Sequence, residues 1–120
     1  MKLHAGFFCL LLGNIIIMER IEKLKSMLLQ SPEDCFVYHA LGLEYVKLND
    51  FENAVDYFNQ VIFIDESYVG TYYHLAKTLE KLNEIEEAIS IYEKGIEIAK
   101  LLKDNHARNE LQMALDDIIE

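Results

Sequence analysis

Tyr38-x-x-Leu41-Gly42-x-x-Tyr45, followed by Ala54 and Phe58, has a counterpart further along the chain in Tyr72-x-x-Leu75-Ala76-x-x-Leu79, followed by Ala88 and Tyr92. Every equivalent pair stands 34 residues apart, so the two stretches share one register. A fixed step of about 34 residues belongs to arrays of helical hairpins. Within each copy the first large residues recur at i, i+3 and i+7, which lie on one face of a helix. Gly42 and Ala76 leave no bulk on that face, so a second helix can approach closely. Ala54 and Ala88 give that second helix a matching small surface, with Phe58 and Tyr92 filling the space beside it.

The pattern resembles the tetratricopeptide repeat, whose signature is Trp-x-x-Leu-Gly-x-x-Tyr, a later Ala, then Phe. Tyrosine replaces the leading Trp in both copies, and Ala76 and Leu79 replace Gly and Tyr in the second. The resemblance implies an all-α fold, an α-solenoid of antiparallel helix pairs in a right-handed superhelical stack. Asn49-Asp50 and Asn83-Glu84 fall where each pair must turn, and Asn and Asp suit turns and N-caps. The spacing predicts helices at about 35–48, 51–64, 69–82 and 85–102. These form repeat 1 (35–68) and repeat 2 (69–102).

Outward from the repeats, Leu111, Leu115 and Ile118 make one stripe on a predicted helix over 105–119, the pattern of a C-terminal cap. Ile17, Ile21, Leu24 and Leu28 make another over 17–30, ended by Ser31-Pro32. Pro32 stands one repeat before Glu66, so this helix reads as the second half of a worn preceding unit, an N-terminal cap. The domain is therefore placed at 18–120, with 1–17 as an apolar leader. Phe7 to Met18 is apolar apart from Gly13 and Asn14, and shorter than the roughly 20 residues a spanning helix needs. Four readings apply to it. A mistaken start, with Met18 as the true one, ranks first. An extra helix at about 3–12 turning at Gly13-Asn14 ranks second. An export signal ranks third, without a small-x-small cleavage site. A membrane span is the fourth.

Composition bounds the function. A hydrophobic share of 52% in 120 residues supports a single packed domain. The net charge of −10 argues against nucleic acid, which needs clustered Lys and Arg, and against an anionic membrane surface. Glu84, Glu86 and Glu87 read as acids favouring a helix N-terminus, with Lys100 and Lys103 at its other end. His4, His39, His74 and His106 share no metal-ligand spacing, and Cys9 and Cys35 form no Cys-x-x-Cys pair. No nucleophile elbow or phosphate loop is present, so the chain is read as no enzyme, with no metal and no cofactor. Two cysteines without a framework suit a reducing cytoplasm.

Phe36, His39, Leu43 and Val46 form a second stripe on the first helix of repeat 1, and Tyr73, Lys77, Glu80 and Lys81 correspond in repeat 2. The resemblance implies that first helices line a concave groove holding a peptide or protein segment. Phe36, Leu43 and Tyr73 would be its anchors, and Lys77 and Lys81 would meet acids. Part of the Phe36–Leu43–Val46 face is expected to meet the helix at 17–30, leaving Tyr73 more exposed than Phe36. The family's clamp for chaperone C-terminal carboxylates would fall on His39, Leu43, His74, Asp104 and Arg108, of which only Arg108 keeps the family residue. The function expected is a non-catalytic interaction module. The alternative is a structural subunit that self-associates, as a homodimer for instance, through the same face.

Overall fold

Asn49, Asn83 and Lys103 hold φ angles of 59°, 61° and 58°, and each ends a helix. In this left-handed conformation the next amide donates back five residues: Asp50 to the Tyr45 carbonyl, Glu84 to Leu79 and Asp104 to Ala99. Such a terminus reverses the chain in two or three residues, and Asn tolerates the conformation better than most residues. The computed structural model describes residues 4–120, with the side chains of 4, 5 and 7 outside that description. Six helices are present: α1 (His4–Gln30), α2 (Cys35–Lys47), α3 (Phe51–Ile64), α4 (Gly70–Lys81), α5 (Ile85–Leu101) and α6 (Asn105–Ile119). Among the described residues there is no strand. Asp34, Asp50 and Asp104 cap α2, α3 and α6 by accepting from the amides of Val37, Asn53 and Ala107.

Each helix packs on the next, and α4 also touches both α2 and α6, the contact order of a stack of hairpins. The main core joins Ala54 and Phe58 of α3 to Tyr72, Leu75 and Ala76 of α4 and to Ala88, Tyr92 and Ile96 of α5. Leu111 and Leu115 close it from α6. A Cβ on Gly42 would run into the Phe58 ring, and one on Gly95 would lie 2.7 Å from the Cβ of Tyr72. Close approach thus occurs at Gly42 and again at Gly95, which stands outside the repeated signature. The two leading tyrosines also act alike. The Tyr38 hydroxyl donates to the Pro32 carbonyl at 3.0 Å, and that of Tyr72 to the Glu66 carbonyl at 2.7 Å. Pro32 and Glu66 are themselves 34 residues apart, so each tyrosine ties its helix to the preceding turn.

Two expectations need correction. The helix holding Ile17, Ile21, Leu24 and Leu28 begins much earlier than residue 17, at His4, and runs without a turn through Gly13-Asn14. One Gly and one Asn cost only about 1 kcal/mol and 0.7 kcal/mol of helix propensity relative to Ala. The Leu and Ile around them favour continuation, and no proline intervenes. In addition, α1 meets α2 through Val37 and Leu41 rather than through the Phe36–Leu43–Val46 stripe. Phe36 is accordingly 64% exposed, whereas Tyr73 is half-buried, the reverse of the expected order. Among the described residues no helix is long and apolar enough to cross a membrane.

Candidate functional site

Because α2, α4 and α6 lie side by side, their outward faces make one continuous surface. Two clefts adjoin on it. The first, of about 180 Å³, runs between α4 and α6 and is lined by Tyr73, Lys77, Glu110, Met113, Ala114 and Asp117. The second, of about 90 Å³, lies between α2 and α4, with Val46, Phe51, His74, Lys77, Thr78 and Lys81. Lys77 belongs to both. Its ammonium sits 3.7 Å from Glu80 Oε2 and 5.8 Å from the centre of the Tyr73 ring. Tyr73 in turn packs edge-on against His74, the ring centres 5.5 Å apart.

Of the stripe residues, Val46, Tyr73, Lys77 and Lys81 therefore line the clefts. Leu43 is half-buried against the main core beside them. His39 is taken up by packing. Its Nδ1 lies 2.7 Å from Thr71 Oγ1, and its ring meets Phe58, Tyr68 and His74 with centres 5.4–5.6 Å apart. Burial, with a smaller push from His74, holds its pKa down to about 4, so it is neutral at pH 7. Burial also lowers the pKa of His74, opposed by Glu110. Glu80 is committed internally, accepting from the Tyr92 hydroxyl as well as pairing with Lys77. Burial and then that bond drive the Tyr92 pKa upward. Phe36 lines neither cleft.

Sequence reasoning missed Phe51 and Thr78 on one side and Glu110, Met113 and Asp117 on the other. The last three recur at i, i+3 and i+7 of α6. That spacing was available to find them, but α6 lacks the repeat signature that directed attention elsewhere. The chaperone clamp is not reproduced. Asp104 spends its carboxylate capping α6, and His39 is packed away. A larger hollow of about 680 Å³ lies between the α1–α2 turn and the end of α3, lined by Pro32, Asp34, Gln60 and Phe63 among others. It contains none of the expected groove residues, and the Asp34 carboxylate already accepts from the Val37 amide. The chemistry of the α2–α4–α6 face is that of contact: an amphipathic lysine over an aromatic ring, flexible Met113, and acids along one edge.

A stack of antiparallel helix pairs stepping by 34 residues is a tetratricopeptide-type solenoid. Residues 18–95 match the family model described as anaphase-promoting complex, cyclosome, subunit 3. The chain belongs to that family. A tetratricopeptide repeat domain protein from Salinibacter ruber, solved by NMR, is 38% identical, covering 72% of this chain and 87% of its own, with a TM-score of 0.68. The TPR2B domain of yeast Sti1, solved as a complex with pHsp70, superposes with a TM-score of 0.78 over 87% of this chain and 83% of its own. At 17% identity it shows the fold alone. The uncharacterised protein ycf37 of Porphyra purpurea is 32% identical over 80 residues, 63% of this chain. The match spans about half of that relative's length, 46%.

Proposed function

We propose that this protein is a non-catalytic interaction module that takes a peptide or protein segment along the α2–α4–α6 face, in the cytoplasm and without nucleic acid. The observation that carries this reading is Lys77, shared by two adjoining clefts whose far walls come from different helices. A segment laid across α4 would contact both at once. Tyr73 and Met113 offer it apolar area, Lys77 and Lys81 offer cations, and Glu110 and Asp117 offer anions at the α6 edge. Aromatic residues flanked by charge are what tends to dominate binding at such surfaces. The family description and the Sti1 complex concern proteins that work by assembly, which supports a role of the same kind here. The altered clamp positions point to a segment other than a chaperone tail.

Tyr73→Ala combined with Lys77→Glu removes the ring and reverses the shared charge. Affinity capture from cell extract with this variant should lose the partner held by the wild-type chain, because truncating one such anchor costs about 2 kcal/mol or more. The melting curve should stay nearly unchanged. A partner retained at wild-type level contradicts the groove. If the double change instead dissociates a homodimer seen by light scattering, the face serves self-association.

A further inference from the structure

Among the described side chains, the exposed surface of α1 before Glu19 is apolar apart from Asn14. Phe8, Leu10, Leu11, Leu12, Ile15 and Ile16 are all 44–68% exposed. At 100° per residue Leu11, Ile15, Phe8, Leu12 and Ile16 cover an arc of about 140°, exposed Cys9 and Met18 flank it on either side, and Leu10 lies beyond it, so the apolar surface is wider than one stripe. From Leu3 to Met18 no Asp, Glu, Lys or Arg occurs, and then Glu19, Arg20, Glu22, Lys23 and Lys25 follow at once. The exposed surface of the second half of α1 carries these five charged residues, with Met27 and Leu29 as its exposed large apolar ones, where the first half carries no charge. Polarity thus changes along the axis of α1, at Met18–Glu19, and not around it. A partner helix or protein groove covers one side of a helix and selects for a stripe. An environment apolar in every direction and bounded by a plane selects for an axial boundary, and a bilayer is such an environment.

We infer that α1 anchors the repeat stack to a lipid bilayer, with its segment from His4 to Met18 in the hydrocarbon and Glu19 onward in the headgroup region and water. The helix is continuous from His4 to Gln30. Its buried half would therefore be joined rigidly to the half whose Ile21 and Leu24 pack on α2. From His4 to Met18 the helix rises roughly 22 Å, less than the roughly 30 Å of bilayer hydrocarbon. The segment therefore inserts without crossing, and local thinning around its buried end limits the cost to a fraction of a kcal/mol per Å. The net charge of −10 disfavours adsorption to anionic lipid, so the lipid expected is zwitterionic.

The test is flotation of the full chain with phosphatidylcholine vesicles. The wild type should float with the vesicles and stay with them through a 1 M salt wash, which releases electrostatic adsorption but not insertion. Leu11→Lys with Ile15→Lys should lower the floated fraction at least tenfold, well inside the roughly thousandfold or more that two lysines in hydrocarbon impose. The circular dichroism and melting temperature of the variant should match the wild type. A wild-type chain that stays at the bottom of the gradient as a defined oligomer would mean that a second copy covers this surface, and the inference fails. It fails equally if salt strips the protein from the vesicles or if the double-lysine variant floats undiminished.

Discussion

Gly42 is buried where α2 meets α3, and no Cβ fits there without displacing the Phe58 ring. Gly95 is in the same position against Tyr72, on the other side of the main core. Gly70, by contrast, has open space where its side chain would be. Gly42→Leu and Gly95→Leu should each destabilise by about 1–3 kcal/mol or more through overpacking. Gly70→Ala should be neutral or stabilising by up to about 1 kcal/mol. Denaturant melts of the three variants separate close packing from mere helix propensity. Gly42 was legible in the sequence because the repeated register singled it out. Gly95 was not, since its counterpart in repeat 1 is Val61, a buried side chain in its own right. The two hairpins thus reach the same close packing with different residues, and a one-letter pattern sees only the shared part.

Between elements, His39 of α2 and His74 of α4 join the two repeats, with ring centres 5.4 Å apart. Both have pKa values below the ordinary histidine value, principally through burial. The unfolded chain then binds protons more readily than the folded one, so their contribution to stability is complete above about pH 6.5 and declines as pH falls, in the case of His39 toward about 4. His39→Phe keeps a ring against Phe58 and Tyr68 and removes the titration. The difference in stability between wild type and His39→Phe should therefore shift in favour of the variant between pH 7.5 and pH 4.5, measured by urea melts. A difference constant across that range contradicts a buried neutral histidine. The sequence placed His39 and His74 on equivalent helices, but which side of α2 faces solvent depended on how α1 docks. Nothing in the Ile17–Ile21–Leu24–Leu28 stripe says which stripe of α2 receives it. Hence Phe36 is exposed, while Tyr73 is half-buried against the main core beside α6.

As a whole the molecule measures 54 × 41 × 23 Å, with a radius of gyration of 16.2 Å. A compact domain of this length would have about 14 Å. The excess is that of an open stack with a projecting helix, in which each element meets its neighbours and leaves a long face uncovered. The all-α stack of helix pairs, its turn positions and a last helix at 105–119 could all be read from periodicity. The clefts could not, because they arise between helices from different units, and the α6 wall lies outside the repeated pattern. The most direct measurement is site-specific photo-crosslinking in cells, with a photoreactive residue in place of Lys77 on the α2–α4–α6 face or of Phe63 on α3. Phe63 is 84% exposed and lines neither cleft, so it serves as the control. A discrete crosslinked partner is expected from the Lys77 position and none of it from the Phe63 position. A partner captured at Phe63 and absent at Lys77 would contradict it.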